Sequence, residues 1–128
     1  MAARVTIVLD CGDPERLARF WADALGYRIV GSEGSYVLLG APDGDGPALI
    51  LQRVPEAKQT KNRMHLDLHP GDIEVEADRL LGLGAARVVA EPVSEHGGHW
   101  ILMADPEGNE FCVCDGGCTG EPAPRPNL

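Results

Sequence analysis

The sequence predicts an α+β protein built from two βαβββ modules, and three observations carry that reading. One pattern occurs twice. Gly12-Asp13-Pro14-Glu15 opens an amphipathic stretch that closes at Leu25-Gly26 and continues into Tyr27-Arg28-Ile29-Val30. Roughly 60 residues on, Gly71-Asp72-Ile73-Glu74 opens a second, which closes at Leu83-Gly84 and continues into Ala86-Arg87-Val88-Val89. Runs with strand periodicity stand before and after each stretch. Finally, 128 residues, 44% of them apolar, suffice for one domain with a real core. Two such modules pair their curved half-sheets around a concave cleft, which is a natural seat for a small ligand.

The elements follow in order. Residues 5–9, rich in β-branched side chains, predict the first strand. Asp13 is a good N-cap, Pro14 suits the first helical position, and Glu15 places an acid in the first turn. Leu17, Phe20, Trp21, Ala24 and Leu25 recur at helical spacing, so this stripe, Trp21 included, belongs to the core. Gly26 stops the helix. Residues 27–30 and 36–39 predict a hairpin, 41–47 a loop dense in Gly, Pro and Asp, and 48–53 the fourth strand. Residues 54–60 form the linker. The second module begins with a strand over 63–68, a helix over 72–81, and strands over 86–90 and 99–104. Asp105-Pro106-Glu107-Gly108-Asn109 carries turn chemistry, and residues 110–114 form the last strand. The modules thus span about 4–56 and 61–115 of a single domain covering 1–118, with a flexible tail over 119–128.

Composition excludes several classes. A net charge of −9 argues against unaided binding to nucleic acid or anionic membranes. No apolar run reaches the length of a membrane span, and no signal-peptide core precedes the first strand, so a cytoplasmic location is expected. There Cys11, Cys112, Cys114 and Cys118 are expected as thiols. The last three do not form a zinc motif, since a Cys-x-x-Cys pair is missing. His96 and His99 flank Gly97-Gly98, which reads either as an ordinary hairpin or as a mobile loop able to cover a cleft.

Strand alternation sorts side chains by face. In the fifth strand Met64, Leu66 and Leu68 should pack under the helices, leaving Arg63, His65 and Asp67 on the concave side. Thr6 and Val8, Ile50 and Gln52, and Glu110, Cys112 and Cys114 fall on that side by the same rule. His65 is a candidate base or ligand. Arg63 and Asp67 either clamp a polar substrate or pair with each other. Trp100 either stacks on a ligand or packs under the loop at 95–98. The predicted contact set is Gln52, Arg63, His65, Asp67, Trp100 and Cys112.

The series Asp13-Pro14-Glu15-Arg16-Leu17-Ala18-Arg19-Phe20-Trp21 with Leu25-Gly26, then residues 61–68, then Trp100 with residues 105–111, resembles the vicinal oxygen chelate superfamily. The similarity is greatest to its glyoxalase-like branch, which includes relatives of bleomycin-resistance proteins. It covers about residues 4–115 and implies the paired βαβββ fold as well. In metal-dependent members it implies one ligand on the first and last strand of each module. Those ligands would fall at Thr6 or Val8, at Gln52 or Leu51, at His65, and at Cys112, where Glu is usual. Because only His65 matches well, the expectation is no bound metal and no other cofactor. The resemblance then implies a small-molecule-binding protein that takes a polar metabolite or drug in the cleft. The alternative it implies is a lyase or isomerase acting on a small oxygenated metabolite through His65. It also implies a homodimer.

Overall fold

The computed structural model describes residues 4–95 and 97–115. The chain divides into two compact units, with the boundary between Gln59 and Thr60. Each is described by itself.

The N-terminal unit comprises β1 (Thr6–Cys11), α1 (Pro14–Leu25), β2 (Arg28–Glu33), β3 (Tyr36–Gly40) and β4 (Ala48–Arg53). Its sheet has the order β1-β4-β3-β2, with β1 parallel to β4 and the other neighbours antiparallel. Helix α1 starts where the sequence provides a cap. The Asp13 carboxylate accepts the Arg16 N–H at 3.2 Å, and Pro14 occupies the first turn. It ends at Gly26, whose φ of 70° lies in the left-handed region that favours glycine. Leu17, Phe20, Trp21 and Ala24 are buried, as are Val37 and Leu39 of β3 and Leu49 and Leu51 of β4, the strands beneath α1. Each fully buried large side chain contributes about 1.5–3 kcal/mol. The Phe20 and Trp21 rings meet edge to face at 5.1 Å. Arg53 anchors the end of β4 to the start of α1, donating to the Gly12 carbonyl at 2.8 Å and pairing with Glu15 at 3.1 Å.

The C-terminal unit comprises β5 (Leu66–Leu68), α2 (Ile73–Leu83), β6 (Ala86–Arg87), β7 (Val93–Glu95), β8 (Gly98–Ala104) and β9 (Glu110–Cys114). The order is β5-β9-β8-β6, β5 runs parallel to β9, and β7 pairs with β8. Asp72 caps α2 by accepting the N–H groups of Glu74 and Val75 at 2.9 and 3.1 Å. Gly84, with φ of 116°, ends it. Ala77 and Leu80 of α2, Ile101 and Met103 of β8, and Phe111 and Val113 of β9 are buried. Both units therefore show the α+β architecture expected from the repeated pattern, with first and last strands adjacent and parallel.

Four expectations are corrected. The fifth strand spans three residues rather than six, because the chain bends at Arg63 and Met64 before pairing begins at Leu66. Met64, expected under the helix, is 86% exposed. The strand after α2 ends at Arg87: the ladder with β8 pairs only Ala86 and Arg87, and Val88, though its N–H donates to the Leu102 carbonyl at 2.9 Å, is exposed. The hairpin of the first module is longer than read. A bulge between Ile29 and Gly31 keeps β2 on β3 as far as Glu33. Short β7 was also missed; it forms a hairpin with β8. Cys118, His96 and the expected tail at 119–128 lie outside the described residues.

Candidate functional site

The register of β5 on β9 gathers a histidine, an aspartate and a cysteine, the cluster of such side chains found among the described residues. Asp67 lies opposite Cys112, between the pairs Leu66–Phe111 and Leu68–Val113. Phe111 and Val113 are buried in the core, so Asp67 and Cys112 belong to the other, helix-free face. His65, two residues before Asp67, reaches the same place. Its Nε2 stands 3.1 Å from Asp67 Oδ1, and one ligand atom each from His65, Asp67 and Cys112 lies within 4.8 Å of the others. The His65 and Asp67 side chains are 38% and 39% exposed, whereas Cys112 is 7% exposed.

Strand β8 extends this face. Leu102 lies opposite Cys112 and Trp100 opposite Cys114, and both Leu102 and Trp100 are partly exposed. A hydrogen bond with Cys114 holds the Cys112 thiol below its ordinary value of 9.0, and the Lys61 charge acts the same way. Burial and the Asp67 carboxylate oppose the shift without cancelling it. Cys11, Cys112 and Cys114 are all buried, reduced thiols.

Two further contacts brace the strands, and the sequence reading did not foresee either. Glu110, placed on the concave side by alternation, accepts the Asn62 backbone N–H at 2.9 Å and so ties the approach to β5 onto β9. His99 Nδ1 lies 2.9 Å from Asp115 Oδ2, and the His99 backbone N–H donates to Asp115 Oδ1 at 3.1 Å. These contacts join the start of β8 to the residue after β9. A carboxylate at a strand terminus beside an antiparallel partner was the available signal.

Of the six predicted contact residues, three come together: His65, Asp67 and Cys112. Trp100 shares their face of the sheet. Arg63 sits in the bend before β5, exposed and outside the ladder, so alternation does not assign it a face. Asp67 pairs with His65, where a pairing with Arg63 was one of the expectations. Gln52 is partly exposed on the helix-free face of the N-terminal unit, in register with Asp10 of β1 and Tyr36 of β3.

The N-terminal unit also carries two hollows. One, of about 560 Å³, is lined by Gly31, Ser32, Glu33, Tyr36, Leu38 and Ile50. The other, of about 650 Å³, lies among Arg4, Thr6, Arg28 and the loop from Gly40 to Ala48. Neither is lined by a predicted contact residue. We weigh the chemistry around His65 above these two hollows, because volume alone specifies no ligand.

This combination of fold and polar sheet face defines a glyoxalase-type protein, and comparison with known families agrees. The chain belongs to the glyoxalase-like domain family, whose model matches residues 6–114, and so to the vicinal oxygen chelate superfamily. No curated protein matches the sequence. Among solved structures it is similar to the genomically encoded fosfomycin resistance protein FosX of Listeria monocytogenes, at 14% identity and a TM-score of 0.73. That match covers 91% of this chain and 94% of the other. A glyoxalase-related enzyme of Fulvimarina pelagi matches at 20% identity and a TM-score of 0.69, covering 90% and 88%. A glyoxalase/bleomycin resistance protein/dioxygenase family enzyme of Burkholderia phytofirmans matches at 11% and 0.72, covering 86% and 95%. At these identities the likeness shows the fold.

The superfamily resemblance raises the question of a hard divalent cation held by oxygen and nitrogen donors. This chain fits one poorly. Val8 faces Ile50 on the helix-free side of β1 and β4, and on the last strand of the second module a thiol stands where a carboxylate is expected.

Proposed function

We propose that the protein binds a small polar organic molecule through direct side-chain contacts around His65 and Asp67, independently of a hard cation. The observation that supports this is the His65–Asp67 pair at 3.1 Å, partly exposed beside Cys112 on a face shared with Trp100 and Leu102. A mixed set of this kind suits a metabolite or drug with carbonyl, carboxylate or phosphonate oxygens. The imidazole and thiol orient polar atoms, and the indole and Leu102 cover apolar ones. Arg63 supplies a planar cation for an anionic group. The fosfomycin resistance relatives make small oxygenated drugs a sensible part of the ligand set to screen.

The same pair favours a second reading, a lyase or isomerase of the family. With the ring proton on Nε2, the nitrogen 3.1 Å from Asp67, the Nδ1 of His65 bears a lone pair and can take a proton from a substrate carbon next to a carbonyl. Asp67 fixes the ring and stabilises the imidazolium that forms. Asp67→Asn would then lower kcat more than it raises KM.

The test is a thermal-shift screen of small carbonyl, carboxylate and phosphonate compounds, followed by titration calorimetry on the hits. His65→Ala and Asp67→Asn should weaken binding about tenfold or more, equivalent to about 1.4 kcal/mol, with little change in Tm. A fall in Tm with affinity unchanged would mean that the pair serves the fold.

The two modules are proposed to act as a single domain, and the protein as a homodimer in the cytoplasm. Half-exposed Val8 and Tyr36 on the helix-free face of the N-terminal unit support association, and three reduced thiols suit that compartment. Among the described residues no helix is long and apolar enough to cross a membrane. Light scattering that gave a monomer mass at micromolar concentration would remove the dimer.

A further inference from the structure

We propose that the N-terminal unit carries a binding site of its own for a small organic oxyanion, in the hollow of about 650 Å³ that Arg4 and Arg28 both line. This goes beyond the reading around His65 and uses none of its residues.

The strand register makes the hollow. Thr6 lies opposite Ala48, and Arg28 opposite Gly40. One step past the Leu39–Leu49 pair, Gly40 and Ala48 are neighbours, so Thr6, Ala48, Gly40 and Arg28 form a row across one end of the sheet. The two middle members have almost no side chain, which leaves a trough between larger residues at either edge. Three strand spacings of about 4.8 Å set its width at about 14 Å. Arg4 precedes β1 by two residues and Arg28 opens β2, so the two guanidinium groups come from opposite edges of the sheet.

The loop between β3 and β4 lines the rest, and it is fastened. Tyr27 Oη donates to the Pro47 carbonyl at 2.8 Å, the Gly44 N–H to the Ala41 carbonyl at 3.1 Å, and the Asp45 N–H to Asp43 Oδ1 at 3.0 Å. Gly46, with φ of 90°, runs so near Tyr27 that a Cβ would stand 3.4 Å from Oη. A wall already fixed costs a ligand little in ordering.

The charge decides the ligand. The chain has 20 acidic residues against 11 lysines and arginines, yet among the described residues neither Arg4 nor Arg28 has a hydrogen-bond or ion-pair partner. Arg53, Arg79 and Arg87, by contrast, each pair with a glutamate. Asp45 shares the lining without pairing with either arginine, so two positive charges face one negative. Planar guanidinium forks match the oxygens of phosphate and carboxylate groups. Val5, Val30 and Pro47 offer apolar cover for the organic part. The volume lies within the range of about 300–1,000 Å³ usual for small-ligand sites.

The experiment is titration calorimetry on the full-length protein in low-salt buffer, with inorganic phosphate, methyl phosphate and succinate as probes. Saturable binding at a single site per chain is expected. Methyl phosphate binding more tightly than succinate would make the ligand a phosphate, and the reverse order a carboxylate. Arg4→Ala and Arg28→Ala should each weaken binding about fivefold or more, and Arg28→Lys should lose less. Asp45→Asn should strengthen it, because the lining loses its acid. Tm should hold in the arginine variants, since these side chains brace nothing else. Arg19→Ala, which removes an exposed cation of α1, should change nothing. Absence of saturable binding by all three probes would overturn the proposal. An equal loss with Arg19→Ala would do the same, since it would mean general charge attraction. A loss with His65→Ala and none with Arg28→Ala would move the anion to the C-terminal unit and also end the proposal. Hits that depend on His65 are a separate readout, so the two readings can fail independently.

Discussion

Asp105→Ala should destabilise the C-terminal unit by about 3 kcal/mol, and the reason lies in one carboxylate. Asp105 is 4% exposed and Asn109 7%. Asp105 Oδ1 accepts the backbone N–H groups of Glu107 and Asn109, each at 2.9 Å. The Asn109 amide nitrogen donates to Oδ1 at 3.1 Å and to Oδ2 at 2.9 Å. Alanine removes every one of these acceptors. The Glu107 N–H can turn to water, but the two Asn109 donors are left buried, at about 1–3 kcal/mol each. The sum is a large share of the about 5–15 kcal/mol that holds a typical domain together. Urea unfolding followed by tryptophan fluorescence measures it, with Asp105→Asn as control. Asparagine keeps an acceptor at the Oδ1 position and loses the charge and the Oδ2 acceptor of one Asn109 contact, so it should cost less than alanine. A loss below about 1 kcal/mol for Asp105→Ala, or equal losses for the two variants, would refute the reasoning. The turn also joins β8 to β9, whose register sets Leu102 opposite Cys112, so the variant should weaken ligand binding as well.

Two glycines at the end of α2 should respond to alanine with opposite signs. Gly84→Ala strains a φ of 116° and brings a new Cβ to 3.4 Å from Pro106, costing about 1–2 kcal/mol. Gly82→Ala meets nothing within 4 Å and should stabilise by about 0.5–1 kcal/mol, both read from thermal melts. The hydrogen bond from Arg79, at 2.8 and 2.7 Å, holds the Glu76 carboxyl below its ordinary value of 4.5; burial opposes this, and the charge of Arg79 adds to it. A depressed carboxyl pKa stabilises the fold above the unfolded-state value and ceases to do so as pH falls through the folded-state value. Glu76→Gln should therefore lower stability by about 0.5 kcal/mol at neutral pH, and denaturation in strong acid should show the difference gone.

Legibility in the sequence followed the strength of the local signal. Helix α1 was readable to its caps because Asp13, Pro14 and Gly26 each have one conformational use there, and its apolar stripe has a single period. Strands β4 and β9 were read with their observed bounds: β4 alternates along its length, and the turn residues at 105–109 mark where β9 begins. The fifth strand was misjudged because alternation continues in the letters from Arg63 to Leu68 while the backbone bends, and nothing in the residue types marks where hydrogen bonding starts. Three of the six candidate contacts came together because the face rule holds for Asp67 and Cys112 and carries to His65, two residues before Asp67. The same rule, extended to Arg63, ran past the end of the strand. Asp67 pairs with His65, its same-face neighbour two residues away, while the bend takes Arg63 out of the strand.

Strand β5 has only three residues, and its sole ladder partner among the described residues is β9, at the end of the sheet order. His65 and Asp67 are thus mounted on or beside a short strand at the sheet edge, held by one ladder. Such an edge opens often, and its amide protons exchange with solvent well before those of β8 and β9. Occupancy of His65 and Asp67 would have to arrest that opening first, so part of the intrinsic affinity goes into ordering three residues. Slowed deuterium uptake at Leu66, Asp67 and Leu68 would then serve as a label-free signal of binding, readable before any ligand has been identified.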